Sequence, residues 1–139
     1  MTASKLALRS APLILLIGMG FGMFMAAAQD HTLTPAHAHL NLLGFVGTLL
    51  MGLVYRLDPV VDSSSLAKLQ IWTWLAAIAV MFVSLSFFLY GNQQAELGAI
   101  VSSIIGILAA AVFAFNVFRI TGKTAASDRP VGVGSARAL

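Results

Sequence analysis

Charge in this chain is sorted by position, and the sorting limits what it can fold into more than any motif does. Four apolar stretches, roughly Ala11–Ala28, Ala36–Tyr55, Leu69–Tyr90 and Ala95–Phe118, are each long enough to cross a hydrocarbon core, which needs about 20 residues of helix. Lys5 and Arg9 precede the first stretch, Arg56 and Lys68 lie between the second and third, and Arg119, Lys123, Arg129 and Arg137 follow the fourth. The other two connections, Gln29–Pro35 and Gly91–Gln94, carry neither Lys nor Arg. Cytoplasmic loops keep the positive charge, so the pattern predicts an all-α polytopic membrane protein. Its four transmembrane helices form an up-down bundle with both termini cytoplasmic. The same sorting gathers His31, His37 and His39 at the periplasmic face of a bacterial inner membrane.

Composition agrees. The 139 residues are 59% hydrophobic and 9% charged, whereas a soluble domain carries about 25% charged residues. One transmembrane domain over residues 1–123 is expected, followed by a disordered cytoplasmic tail over 124–139, rich in Ala, Gly, Ser and Arg. The net charge of +3 follows from topology, and no basic stripe with interleaved aromatics suggests nucleic acid. The absence of cysteine excludes disulfides, thiolate metal sites and thioether-attached haem. Lys5, Arg9 and the apolar run ending in Ala26-Ala27-Ala28 also resemble a secretory signal, but the run is long for one and is read as a span.

Local signals place the helix ends. Thr34 is expected to cap the second helix, with Pro35 at its first position. Asp58-Pro59 ends that helix, and Val60–Ala67 is expected to be a loop. Trp72, Trp74 and Tyr90 are expected at interfacial depth. Gly18 and Gly22 on the first helix, and Gly98, Ser102 and Gly106 on the fourth, form small-residue faces that allow close helix approach.

The second helix carries the chemistry. On a wheel of about 100° per residue, Asn41, Gly44, Thr48, Gly52 and Tyr55 fall within roughly 60° of His37. They form a small, polar stripe that leaves room for a flat macrocycle or a closely packed helix. His39 falls on the opposite side with Leu43, Val46, Leu50 and Leu53, facing lipid or a partner subunit. The plain reading of His37 is an interfacial histidine bonded to Asn92, Gln93 or a backbone carbonyl. For His31 it is a solvated loop residue.

The segment Thr34-Pro-Ala-His37-Ala-His39-Leu-Asn41-Leu-Leu-Gly44 resembles the start of the second helix in subunit I of haem-copper oxidases and nitric oxide reductases. It is closer still to small four-helix proteins carrying His-Ala-His-Leu-Asn-Leu-Leu-Gly. The resemblance covers about Gln29–Asp58. It implies an axial haem ligand at His37, with Asn41, Gly44 and Thr48 shaping a haem b pocket. Several departures limit the comparison. The first, third and fourth helices hold no histidine, and the outer arginines that pair haem propionates in that family are missing. A copper centre with two haems cannot be built here, so oxygen reduction by this chain alone is not expected.

A second axial ligand could be Met23 or Met25, or His37 of a symmetry-related copy, or the position could stay open to a gas. The implied role is electron transfer, haem handling or gas sensing. The expected partners are the lipid bilayer and a homo-oligomer or a larger respiratory complex. Two other classes compete. One is a non-catalytic assembly subunit docking through its small-residue faces. The other is an outer-face zinc or copper site drawn from His31, His37, His39 and Glu96, with Asp30 nearby, since imidazole and carboxylate suit those ions.

Overall fold

The computed structural model describes residues 1–127, with side chains described for 1–122, and among the described residues there are six α-helices and one π-helical segment. Helix α1 (Ala3–Ala28) starts at Thr2, whose hydroxyl accepts from the Lys5 N–H at 3.4 Å. It ends at Gln29, which takes the left-handed conformation (φ 53°) and returns its N–H to the Ala26 carbonyl. The second span, Thr34–Tyr55, is composite: α2 (Thr34–His39), a π-helix over Leu40–Gly47, then α3 (Thr48–Tyr55). It begins one residue earlier than expected. Leu33 occupies the cap position, and Thr34 instead donates its hydroxyl to the His31 carbonyl at 2.7 Å.

The expected loop after Pro59 contains a short helix, α4 (Pro59–Ser63). The Asp58 carboxylate accepts from the N–H groups of Val60 and Val61 at 2.9 and 3.1 Å, with Pro59 at the first helical position. The residue that ends one helix thus starts the next. Ser64 caps α5 (Ser65–Leu89) by accepting from the Ala67 N–H at 3.2 Å. Helix α6 (Ala95–Ser127) runs into the expected tail, and the remainder of that segment, 128–139, lies outside the described residues. All four long helices are apolar enough to cross a membrane. The protein is a small polytopic membrane protein whose bilayer contact follows from these spans.

The four spans are arranged as two pairs. Helix α1 lies along the second span, α6 lies along α5, and α5 touches the second span to join the pairs. The expected Gly18–Gly22 face meets the second span. A Cβ on Gly18 would collide with the Asn41 amide, and one on Gly22 would lie 3.0 Å from His37 Cε1. On α6, Gly98 packs against Ser84 and Ser102 is buried, but Gly106 has open space before it. Trp72 is exposed as an interfacial residue would be, whereas Trp74 is buried and donates its indole N–H to the Thr48 hydroxyl at 3.1 Å.

Candidate functional site

A π-helix bonds i to i+5 and is wider than an α-helix, so residues entering and leaving it do not keep the 100° relation of a wheel. Such segments occur frequently at functional sites. Here it follows His39 directly, and it divides both predicted stripes. His37 and Asn41 face Gly22 and Gly18 of α1, while Gly44 sits between Ile14 of α1 and Ile78 of α5. Thr48 turns to Trp74, and Gly52 returns to Ala7 and Leu8 of α1. On the other side, Val46, Leu50 and Leu53 are exposed as predicted. His39 and Leu43 instead line a groove.

The His37 stripe was expected to leave room for a flat macrocycle or a closely packed helix, and packed helices fill it. A Cβ on Gly44 would come within 2.9 Å of Ile14 Cγ2 and 3.2 Å of Ile78 Cγ2. One on Gly52 would meet Ala7 Cβ and Leu8 Cγ at 3.0 Å. The His37 ring lies near the Phe21 ring, centroids 6.2 Å apart and tilted by 30°. Asn41 donates from Nδ2 to the His37 carbonyl at 3.0 Å, and that amide nitrogen also lies 3.3 and 3.4 Å from the two ring nitrogens. His37 is half-buried in a clasp between two helices.

The groove lies on the other side of the second span. It holds about 300 Å³ and is lined by His39, Leu43, Trp74, Met81, Ser102 and Gly106, among others. The second and fourth spans meet near the termini, where the Tyr55 and Phe113 rings stack edge to face at 5.6 Å and Asn116 donates to the Tyr55 hydroxyl at 3.1 Å. Nearer His39 the groove lies between them, with Trp74, Ile78 and Met81 of α5 in its lining. The volume is at the small end of ligand sites, which run about 300–1,000 Å³ and are mostly apolar with a few polar groups.

His39 is set up differently from His37. Its Nδ1 lies 2.7 Å from the Pro35 carbonyl oxygen. A carbonyl can only accept, so Nδ1 carries the proton, and Nε2 of the neutral ring keeps its lone pair. A backbone carbonyl on one ring nitrogen fixes ring and tautomer, the usual support of a metal-binding histidine. The sequence wheel, drawn for an unbroken α-helix, turned this residue toward lipid or a partner subunit, and the resemblance implied a haem ligand at His37.

The remaining candidates are scattered. His31 is exposed in the first turn, and Glu96 is exposed at the start of α6, where its charge suits the helix N-terminus. Among the described residues no group of three or more His, Asp or Glu stands close enough to hold a metal ion, so His31, His37, His39 and Glu96 are not brought together. Met23 is 74% exposed and Met25 is buried, and neither lines the groove. At the same end the Tyr90 hydroxyl donates to Asp30 Oδ2 at 3.1 Å and ties the two turns together. Asp30 has its carboxyl pKa lowered, first by hydrogen bonding from the Thr32 side chain and then by the Thr32 N–H. No protein-family model, curated protein or solved structure matches this chain.

Proposed function

We propose that this protein binds haem b through His39, in the groove between the second, third and fourth spans, and serves electron transfer in a bacterial inner membrane. The carrying observation is the His39 ring, whose Nδ1–H is held by Pro35 while Nε2 is left as a base beside an apolar groove. The lining suits a flat apolar group with an iron centre: aliphatic walls, the Trp74 indole, and the recess at Gly106 where a Cβ would meet nothing within 4 Å. Bound there, haem would supply one-electron chemistry. The chain would supply the His39 imidazole as a ligand, exclusion of water, and a floor from α5. In this reading the His37–Asn41 clasp is structural, holding the second span against α1. The distribution of Lys and Arg supports a periplasmic mouth for the groove.

The test is the visible spectrum of protein purified from haem-supplemented cells. The expected result is a Soret band that persists in His37→Ala and His31→Ala and disappears in His39→Ala. His39 is exposed and bonds only to its own helix, so the His39→Ala protein should still fold. A colourless wild-type protein would overturn the reading. A band lost only in His37→Ala would return the ligand to the clasp.

One observation favours a second reading, an assembly subunit of a respiratory complex. The fourth span is the least buried of the four and packs chiefly on α5, leaving most of its surface to lipid or to another membrane protein. Colourless protein that copurifies with a defined membrane complex would support it.

A further inference from the structure

We infer that the α5–α6 pair binds one anionic phospholipid on its side away from the His39 groove, with an acyl chain between the helices and the phosphate at Arg119. Helix α5 turns Trp74 and Ile78 to the second span. Thr73, Ala76 and Val80 lie roughly opposite them on its wheel. There two hollows of about 140 and 310 Å³ adjoin at Thr73, which lines both. Leu66, Leu69, Leu108 and Val112 wall the first, and Ala76, Val80, Val101 and Ile105 wall the second. Small buried side chains, Ala109 and Ala77, form the floor. Each lining residue belongs to α5 or α6. From Leu66 to Val80 the groove follows about 21 Å of helix. Half of a hydrocarbon core is about 15 Å thick, so the groove is long enough for a chain from one leaflet.

Charge marks one end of this groove. Leu108, Val112, Phe115 and Arg119 follow one another at helical spacing, so Arg119 continues the α6 wall about two turns beyond Val112. Its side chain is exposed, and its guanidinium carbon stands 5.8 Å from the centroid of the Phe115 ring. A ring against one face of the guanidinium leaves its N–H edge open to the paired oxygens of a phosphate. The carboxylates at this end are engaged by backbone: Asp58 caps α4, and Asp62 accepts from Ser4. At the other end of the groove Val80 and Val101 carry no charge. The fitting occupant has one anionic head and an apolar tail of about leaflet length. A phospholipid of the leaflet on the side of the termini has both. A transmembrane helix would fill the hollows but give Arg119 no anion.

The test is native mass spectrometry of the full chain in detergent, titrated with phosphatidylglycerol or with phosphatidylcholine of the same acyl chains. The wild type should bind one phosphatidylglycerol about fivefold more tightly than phosphatidylcholine, the scale of one arginine beside an anionic headgroup. Arg119→Gln should abolish that preference. Arg56→Gln removes the same charge from an exposed site at the same end but outside the groove, and should leave the preference intact. Both arginines are exposed, so both variants should fold. Thr73→Leu puts an apolar branch where the two hollows meet and should weaken binding of both lipids. Equal losses in Arg119→Gln and Arg56→Gln would show that net charge alone attracts lipid, and would overturn the site. So would a wild type that does not tell the two lipids apart, or a Thr73→Leu protein that binds both as the wild type does.

Discussion

Near the termini, polar side chains buried between helices bond to one another across the helix interfaces. Near the histidines, they bond mostly to their own helix. At the first end the Asp62 carboxylate accepts from the Ser4 N–H at 2.6 Å and from the Ser4 hydroxyl at 2.7 Å. The Tyr55 hydroxyl donates to Gln70 at 2.9 Å and accepts from Asn116, linking three spans. At the other end His39 bonds to Pro35, Asn41 to His37, Ser86 to Phe82 and Ser102 to Gly98, each within one helix. The largest fully buried side chains, Tyr55, Ile71, Val61, Asn116, Thr48 and Ser4, all lie in the half near the termini. A bond across an interface fixes two helices to each other, whereas a bond within a helix satisfies the polar group and leaves the helices free to part. One end of the bundle is a clamp, and the other is built to hold a groove.

The largest expected effect tests the clamp at its most charged point. Asp62 is 8% exposed, and its two short bonds satisfy an N–H in the first turn of α1, where no intrahelical partner exists. Asp62→Ala should destabilise the protein by about 3 kcal/mol, the scale of losing hydrogen bonds to a buried charge. Unfolding in detergent, followed by circular dichroism, measures it. A loss well under half of that would mean the N-terminus of α1 is held by packing instead. Tyr55→Phe comes next. It leaves Gln70 and Asn116 without their shared hydroxyl and should cost about 1–2 kcal/mol, toward the upper end of interhelical hydrogen bonds in membranes. The comparison breaks if a double-mutant cycle between Tyr55→Phe and Asn116→Ala shows no coupling.

The same substitution placed at both ends sharpens the contrast. A Cβ at Gly52 would lie 3.0 Å from Ala7 Cβ, which can move only with its backbone. A Cβ at Gly22 meets the His37 ring at the same distance, and a ring can swing aside. Alanine also relieves the helix of glycine's entropy, worth roughly 0.5–1 kcal/mol. Gly52→Ala should therefore be destabilising by about 1 kcal/mol net of that gain. Gly22→Ala should be neutral to slightly stabilising, within about 0.5 kcal/mol. Equal effects at the two sites would show that the histidine end is packed as rigidly as the clamp.

The sequence made the spans legible because length and hydropathy are properties of each segment alone. The Gly18–Gly22 face was legible for the same reason, as a local pattern of small residues. Three things were not. The π-helix was hidden because the pattern Leu40–Gly47 fits an α-helix as well, and only the neighbouring spans decide which is formed. Its widening separates His39, at a groove, from the face of Val46, Leu50 and Leu53 with which the wheel had turned it toward lipid or a partner subunit. Asp62 was read as part of a polar loop because its partner, Ser4, is 58 residues away. Trp74 near the start of an apolar run looked like an interfacial anchor, and only the tertiary fold supplies Thr48 for its N–H.

The smallest effect concerns a polar bond at the histidine end, Tyr90 to Asp30, that joins separate hairpins. Thr32 holds the Asp30 carboxyl below its ordinary 3.8, with Tyr90 and the charge of His31 adding to it. A group whose folded pKa is depressed stabilises the fold above its unfolded value, and that contribution fades as pH falls through the depressed value. Desolvation first, and then the Asp30 carboxylate, raise the Tyr90 phenol above 10.0. Its contribution is complete below that value and fades as pH rises through the raised one. The Asp30–Tyr90 tie should hold unchanged from about pH 5 to pH 9 and loosen only outside that range. Hydrogen exchange at the amides of Thr32 and Asn92 should show constant protection between those limits, after correction for intrinsic rates. Asp30→Asn should remove the acid-side loss. A transition near the ordinary histidine range, about pH 6.5, would mean instead that imidazole charge controls this end of the molecule, and the division into a fixed clamp and a permissive groove would have to include a proton-driven step at the groove.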